Sequence, residues 1–184
     1  MRVEITGVAP DQAEADVLAV PLAGENGLSG AAASLDSGLD GLLATLSGDG
    51  ELRSELGHAR LVHVDGKLKS RRVAVAGLGE PEHADADAVR TAAAAVARQV
   101  REFAASIAWV LDESLPLSPA DQARAIVEGT LLGAYDPARW KHEDEHRSKL
   151  ETLTLCGEGE GVEAAAERAL RIADWTNRAR DLVN

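Results

Sequence analysis

The sequence predicts an α/β protein, a three-layer α/β/α sandwich around a mixed sheet of about six strands. Three observations carry this. Apolar runs of strand length recur along the chain, helical stretches lie between them, and one connection between strands is too short to hold a helix. Helical crossovers give parallel strands with both faces covered, and the short connection reverses one strand. A chain of 184 residues that is 45% hydrophobic suits one domain with a sizeable core. Only 3% of residues are aromatic, so Ala, Val, Leu and Ile must fill that core.

The first strand is expected at the amino terminus, where Val3 and Ile5 alternate with Arg2, Glu4 and Thr6 and leave one face for water. Residues 17–20 are all apolar and end at Pro21, which marks a strand covered on both faces. The runs at 61–64, 73–78 and 107–111 read the same way. Residues 153–156 give a sixth strand, alternating with Thr152 and Thr154. Between the third and fourth strands lie only residues 65–71, opening with Asp65-Gly66, which fits a hairpin.

Four helices are expected. The first lies around Leu39, Leu42, Leu43 and Leu46, in a region rich in Gly and Ser. In the second, Val89, Ala93, Val96, Val100, Phe103 and Ile107 recur at steps of three and four, so the buried stripe runs into the next strand. The third opens with Ser118 at N-cap, Pro119 at N1 and Asp121 at N3, and turns Ala123, Val127, Thr130 and Ala134 inward. The fourth carries Val162, Ala166, Ala169, Ala173 and Thr176, after which Leu182 and Val183 leave it.

A formal charge of -12 and a pI near 4.8 oppose phosphate backbones and anionic lipid over a Debye length of ~8 Å, which makes nucleic acid an unfavourable partner. Cys156 is the only cysteine, so no internal disulfide can form and no metal site can be built from cysteines. The amino terminus lacks an apolar run of signal-peptide length and no stretch reaches a membrane span. A cytoplasmic location is expected.

Several motifs invite a chemical reading. His142-Glu143-Asp144-Glu145-His146 fits H-E-x-x-H, in which two imidazoles one helical turn apart bind zinc and the Glu acts as base. Every residue from 141 to 147 is charged or His, so no apolar face could fix the rings, and a solvated loop is expected. Gly157-Glu158-Gly159-Glu160-Gly161 stands between a strand and a helix, but Val162 occupies the place of the third Gly of G-x-G-x-x-G, and the two carboxylates oppose a phosphate. Gly77-Leu78-Gly79 ends a strand where ligands often sit, or lets the chain turn out of the sheet. His58, His63 and His83 have no triad partner nearby in sequence, and Asp85, Asp87, Asp112 and Glu113 fall where carboxylates cap helices. No catalytic, cofactor-binding or metal-binding residue is therefore assigned.

Three segments resemble the leucine aminopeptidase (cytosol or leucyl aminopeptidase) family, cytosolic peptidases with a two-metal site in a carboxy-terminal domain. Val73-Ala74-Val75-Ala76-Gly77-Leu78-Gly79 looks like the family's strand ending in Gly-Leu-Gly. Val127-Glu128-Gly129-Thr130-Leu131-Leu132-Gly133-Ala134-Tyr135 is similar to its helix running into a Gly and a Tyr. Asn177-Arg178-Ala179-Arg180-Asp181-Leu182-Val183-Asn184 matches the stretch that joins the amino-terminal domain to the catalytic one. The segment 140–149 departs from the family in being more charged.

The resemblance implies a fold similar to macro domains. It makes residues 1–176 a non-catalytic amino-terminal domain and 177–184 the start of a linker, the chain being cut at Asn184 before a missing catalytic domain. The parent is implied to be a hexameric metalloaminopeptidase that releases amino-terminal residues such as Leu. It would use two divalent ions, zinc or manganese, that polarise the scissile carbonyl and activate a bridging water. Their Lys, Asp and Glu ligands would lie beyond residue 184. The implied partners are the catalytic domain of the same polypeptide and further copies of the parent, with no membrane and no nucleic acid. Two other readings stand beside it. One is a free-standing macro-type module that binds ADP-ribose or a related nucleotide, with the 157–161 loop as its site. The other is a DNA-binding regulator, as some bacterial members of the family are, which 19 Lys and Arg against 31 Asp and Glu disfavour.

Overall fold

The computed structural model describes residues 1–24, 27–137 and 148–183. In chain order its main elements are β1 (Arg2–Thr6), β2 (Val17–Ala23), α1 (Gly30–Asp36), α2 (Leu42–Gly48), β3 (Ala59–His63) and β4 (Arg72–Gly79). Then come α3 (Ala86–Val100), β5 (Ser106–Val110), α4 (Pro119–Gly133), β6 (Thr152–Cys156) and α5 (Val162–Val183). The strands form one six-stranded sheet in the order β1-β6-β5-β2-β4-β3. All neighbours pair in parallel except β3, which runs antiparallel to β4. This is the mixed α/β/α sandwich expected from the sequence.

Alternation along the strands sorts the core into two layers. Val17, Ala19, Ala74, Ala76, Ile107, Trp109, Leu153 and Leu155 point toward α3, α4 and α5. Leu18, Val20, Leu22, Val73, Val75, Ala108, Val110 and Cys156 point toward α1 and α2. Residues 17–20 are wholly inaccessible, as an apolar run covered on both faces requires.

The hairpin forms at the expected place. Residues 64–71 join β3 to β4, and they open with a type I′ turn in which Asp65 and Gly66 both have positive φ and Lys67 N–H donates to the Val64 carbonyl at 2.9 Å. Local caps also follow the sequence. Asp85 accepts from the N–H groups of Asp87 and Ala88 at 2.9 Å to open α3, and Ser118 accepts from Asp121 N–H at 3.1 Å to open α4.

Six expectations need correction. Residues 61–64 are not covered on both faces: β3 is an edge strand, with His63 exposed and Leu61 half-buried. β2 does not end at Pro21 but runs on to Ala23; its ladder to β5 stops at Ala19, so the proline lies where only β4 is still a neighbour. The first helix begins only at Leu42, as α2, because Asp40 and Gly41 are left-handed and part it from Leu39; α1 before it was not expected. Phe103 is not on the buried stripe. The helix ends at Val100, the periodicity lapses, Ala104 takes the inner place, and Phe103 is 45% exposed with the Arg72 guanidinium 5.0 Å from its ring. Ile5 is half-exposed, because β1 is an edge strand with little above it. Finally, α5 does not end near Thr176, which is exposed, but continues to Val183.

Small side chains set the spacing of the outer layer. A methyl group at Gly129 would overlap the Arg90 carbonyl oxygen, and one at Gly133 would lie 2.6 Å from that of Ala94. Thus α4 rests on the backbone of α3, one helical turn at a time. Beside this contact Arg90 Nε donates to Glu128 Oε2 at 2.8 Å and a second guanidinium nitrogen pairs with Asp87. Burial works against the charge on Arg90, yet the bonds and charges of Glu128 and Asp87 outweigh it and raise the guanidinium above its ordinary pKa. Replacing Gly by Ala inside a helix ordinarily stabilises by up to about 1 kcal/mol. Gly129→Ala is expected to have the opposite sign and to cost about 1–3 kcal/mol in urea denaturation, because the added carbon has nowhere to go.

Candidate functional site

The carboxyl ends of the five parallel strands lie on one side of the sheet, the usual place for a ligand in an open α/β fold. Among the described residues, open clefts lie there beyond β2 and β4 and beyond β5. The first, of about 610 Å³, lies between Leu22, Gly24, Arg53, Glu55, Gly79 and Glu80. The second, of about 630 Å³, is lined by Asp11, Gly30, Ser34, Asp112, Glu113 and Ser114.

In the second cleft the position an anion would take is already filled. Asp112, 6% exposed, accepts from Ala31 N–H at the start of α1 at 2.9 Å through Oδ2. Its Oδ1 accepts from Ser114 N–H at 2.9 Å and from the Ser114 hydroxyl at 2.7 Å. Gly30 leaves room for this carboxylate, which a side chain there would strike. Gln122 holds the segment from behind, accepting from Asp112 N–H at 2.9 Å and donating to the Asp112 and Leu117 carbonyls at 2.8 and 3.2 Å. A phosphate entering the cleft would meet Asp11, Asp112 and Glu113, so electrostatics there favour cations or neutral groups.

Several other residues singled out in the sequence pack against neighbours or cap helices. A Cβ at Gly77 would lie 2.6 Å from the Ser54 carbonyl, because residues 54–58 cross the end of β4. Gly79 N–H donates to that same carbonyl at 2.6 Å. The 157–161 loop lies against α4, where a Cβ on Gly159 would come within 2.8 Å of Pro119 and one on Gly157 within 2.9 Å of Leu111. Its glycines serve close approach of backbone to neighbours. Asp85 and Asp87 are spent on the start of α3. His63 and His83 are exposed, and His58 is half-buried with an unbonded Nδ1. The H-E-x-x-H stretch, 142–146, lies outside the described residues. Among the described residues no group of three His, Cys, Asp or Glu side chains is placed to hold a metal, and no helix is long and apolar enough to cross a membrane.

Two distant segments do converge. Asn177 and Arg180 of α5 reach the Leu131 and Leu132 carbonyls at the end of α4, at 3.1 and 3.4 Å, and the Tyr135 hydroxyl donates to Asp181 at 3.1 Å. These are two of the stretches that resemble the peptidase family.

The family model described as "Cytosol aminopeptidase family, N-terminal domain" matches residues 19–144. The chain belongs to this family. It is 35% identical to the probable cytosol aminopeptidase of Thermosynechococcus vestitus over 82% of this chain and 31% of that protein. It is 33% identical to that of Roseiflexus castenholzii over 100% of this chain and 37% of that protein. The chain thus spans about a third of the length of the curated relatives it matches. Among solved structures, the bottromycin maturation enzyme BotP is similar with a TM-score of 0.69 and 26% identity, over 92% of this chain and 33% of that one. A tomato leucine aminopeptidase gives 0.76 at 24% identity over 94% and 36%, and the macrodomain of Thermus aquaticus DarG gives 0.58 at 10% over 85% and 99%. The last two speak to the fold alone, which is macro-domain-like as the resemblance implied.

For this member of the cytosol aminopeptidase family, sequence reasoning placed Asp112 at a cap but could not name the helix, since Ala31 is far away in the chain. Asp112→Ala would leave the Ala31 and Ser114 N–H groups without their acceptor. A loss of about 2–4 kcal/mol in thermal or urea unfolding is expected. Cys156 gives a second check. Burial pushes its thiol from 9.0 up to about 11. The unfolded chain ionises first, so stability present below pH 9 falls between pH 9 and about 11. Cys156→Ala should show less of that fall, and the native thiol should react with a disulfide reagent at pH 8 at least ~10-fold more slowly than in urea.

Proposed function

We propose that this chain is the non-catalytic amino-terminal domain of a metal-dependent leucyl aminopeptidase, in which it supports oligomer assembly and access of substrate. The observation that carries this is the match of residues 19–144 to the amino-terminal domain of the family, in a chain about a third as long as its curated relatives. In this proposal residues 1–176 are the domain, and residues 177–184 begin the connection to a catalytic domain in the same polypeptide. The whole protein is a cytoplasmic hexamer that removes amino-terminal residues such as Leu from peptides.

Two divalent ions, zinc or manganese, belong in this proposal to the catalytic domain. The described residues of this chain offer no cluster that fits either. One related structure is of BotP in complex with Mn. Within the present chain we assign no residue a catalytic, cofactor-binding or metal-binding part, and several of the groups that could serve are engaged in caps and packing. Asp85 and Asp112 hold helix starts, and the glycine loops admit neighbouring backbone.

The macrodomain likeness supports a second reading, a module that binds ADP-ribose. The carboxylate of Asp112 at the α1 start and the acidic lining of its cleft weigh against it. Titration of the purified chain with ADP-ribose in a calorimeter is expected to give no heat of binding. A dissociation constant below about 10 μM, roughly -7 kcal/mol, would overturn the preference. For the assembly role the test is made in the longer protein. Removal of residues 1–170 is expected to alter oligomer size in sedimentation, or selectivity among peptides; both unchanged would refute the role.

A further inference from the structure

We infer that Tyr135, Asn177 and Arg180 are positioning residues, a polar clamp that holds the last turns of α5 on the end of α4 and so fixes the direction in which α5 leaves the domain. The inference rests on the geometry of this chain alone and stands apart from the proposed parent activity.

The buried anchors of α5 are Val162, Ala166, Ala169 and Ala173, and they end well before the helix does. From 174 to 183 the helix extends about 15 Å with no core beneath it. Leu182 and Val183 are 90% and 87% exposed, so apolar contact with the described residues does not hold them. A helix end in that condition ordinarily frays.

What meets it instead is the carboxyl end of α4. Helix ends leave their last carbonyls unpaired and carry partial negative charge, and here both needs are met from α5. Asn177 Nδ2 donates to the Leu131 carbonyl at 3.1 Å, and Arg180 Nη1 donates to the Leu132 carbonyl at 3.4 Å and to Asn177 Oδ1 at 3.3 Å. The Arg180 guanidinium lies 5.4 Å from the centre of the Tyr135 ring, whose hydroxyl donates to Asp181. Asn177, Arg180 and Asp181 are spaced by three and four residues, so these contacts come from one face of α5. The clamp is polar, and its strength depends on donor geometry more than on buried area.

The test is hydrogen exchange read by mass spectrometry on the 184-residue chain. In the double variant Tyr135→Phe with Asn177→Ala, amides of residues 178–183 are expected to exchange at least ~10-fold faster, while those of 17–20 and 73–78 keep their rates. Asn177→Asp is nearly isosteric but has no donor for the Leu131 carbonyl, and it should loosen the same amides. Unchanged protection at 178–183 in the double variant overturns the inference. So does acceleration spread evenly over the whole chain, which would mark these residues as general supports of the fold.

Discussion

Close approach of α3 and α4 is the constraint on which the outer layer depends. With 3% aromatic residues the chain has few large side chains to span a gap, so its layers must come near one another. Gly129 and Gly133 allow this by setting the backbone of α4 on the Arg90 and Ala94 carbonyls, beside the inward alanines of α3. The placement of α4 then decides the rest. Its start receives the 157–161 loop through Pro119 and Ala120, Gln122 secures the turn after β5, and its end receives α5. A small displacement at the glycines would be felt at each of these points.

The second theme is the use of carboxylates inside an acidic protein. Asp36 accepts from the N–H groups of Leu43 and Ala44 at 2.7 and 3.2 Å and opens α2. Asp16 accepts from Ala105 and Ser106 at 2.8 and 3.2 Å and ties the start of β2 to that of β5. Together with Asp85 and Asp112, these groups spend their charge on backbone donors, where negative charge is favoured. Two of the carboxylates that the sequence offered for acid and base chemistry, Asp85 and Asp112, are bonded to backbone donors.

What could be read from the residues depended on distance along the chain. The buried strands β2, β4 and β5, the Asp65-Gly66 turn and the caps at Asp85 and Ser118 arise from neighbours within a few positions, and each was legible; that residues 61–64 would lie at an edge, open on one side, was not. The extension of β2 past Pro21 was not, because it depends on where the ladder to β5 stops. Nor was the exposure of Phe103, since a stripe followed by period cannot show that the helix has ended at Val100. The same holds for α5 beyond Thr176, which is met by α4 more than forty positions earlier. At the candidate site, the acidic character of 112–113 was visible, but its partner in α1 was not.

The pairing of β1 with β6 has a consequence for the birth of the chain. Arg2–Thr6 precedes the other strands, yet among the described residues its one neighbour in the sheet is Thr152–Cys156, the last strand in chain order. At roughly 5–20 residues per second, synthesis leaves that first strand without a partner for about ten to thirty seconds. Meanwhile β2, β3 and β4 can pair among themselves. Among the six strands the earliest is therefore the last to be paired, and the strand with Ile5 and Glu4 on its surface must stay soluble while it waits.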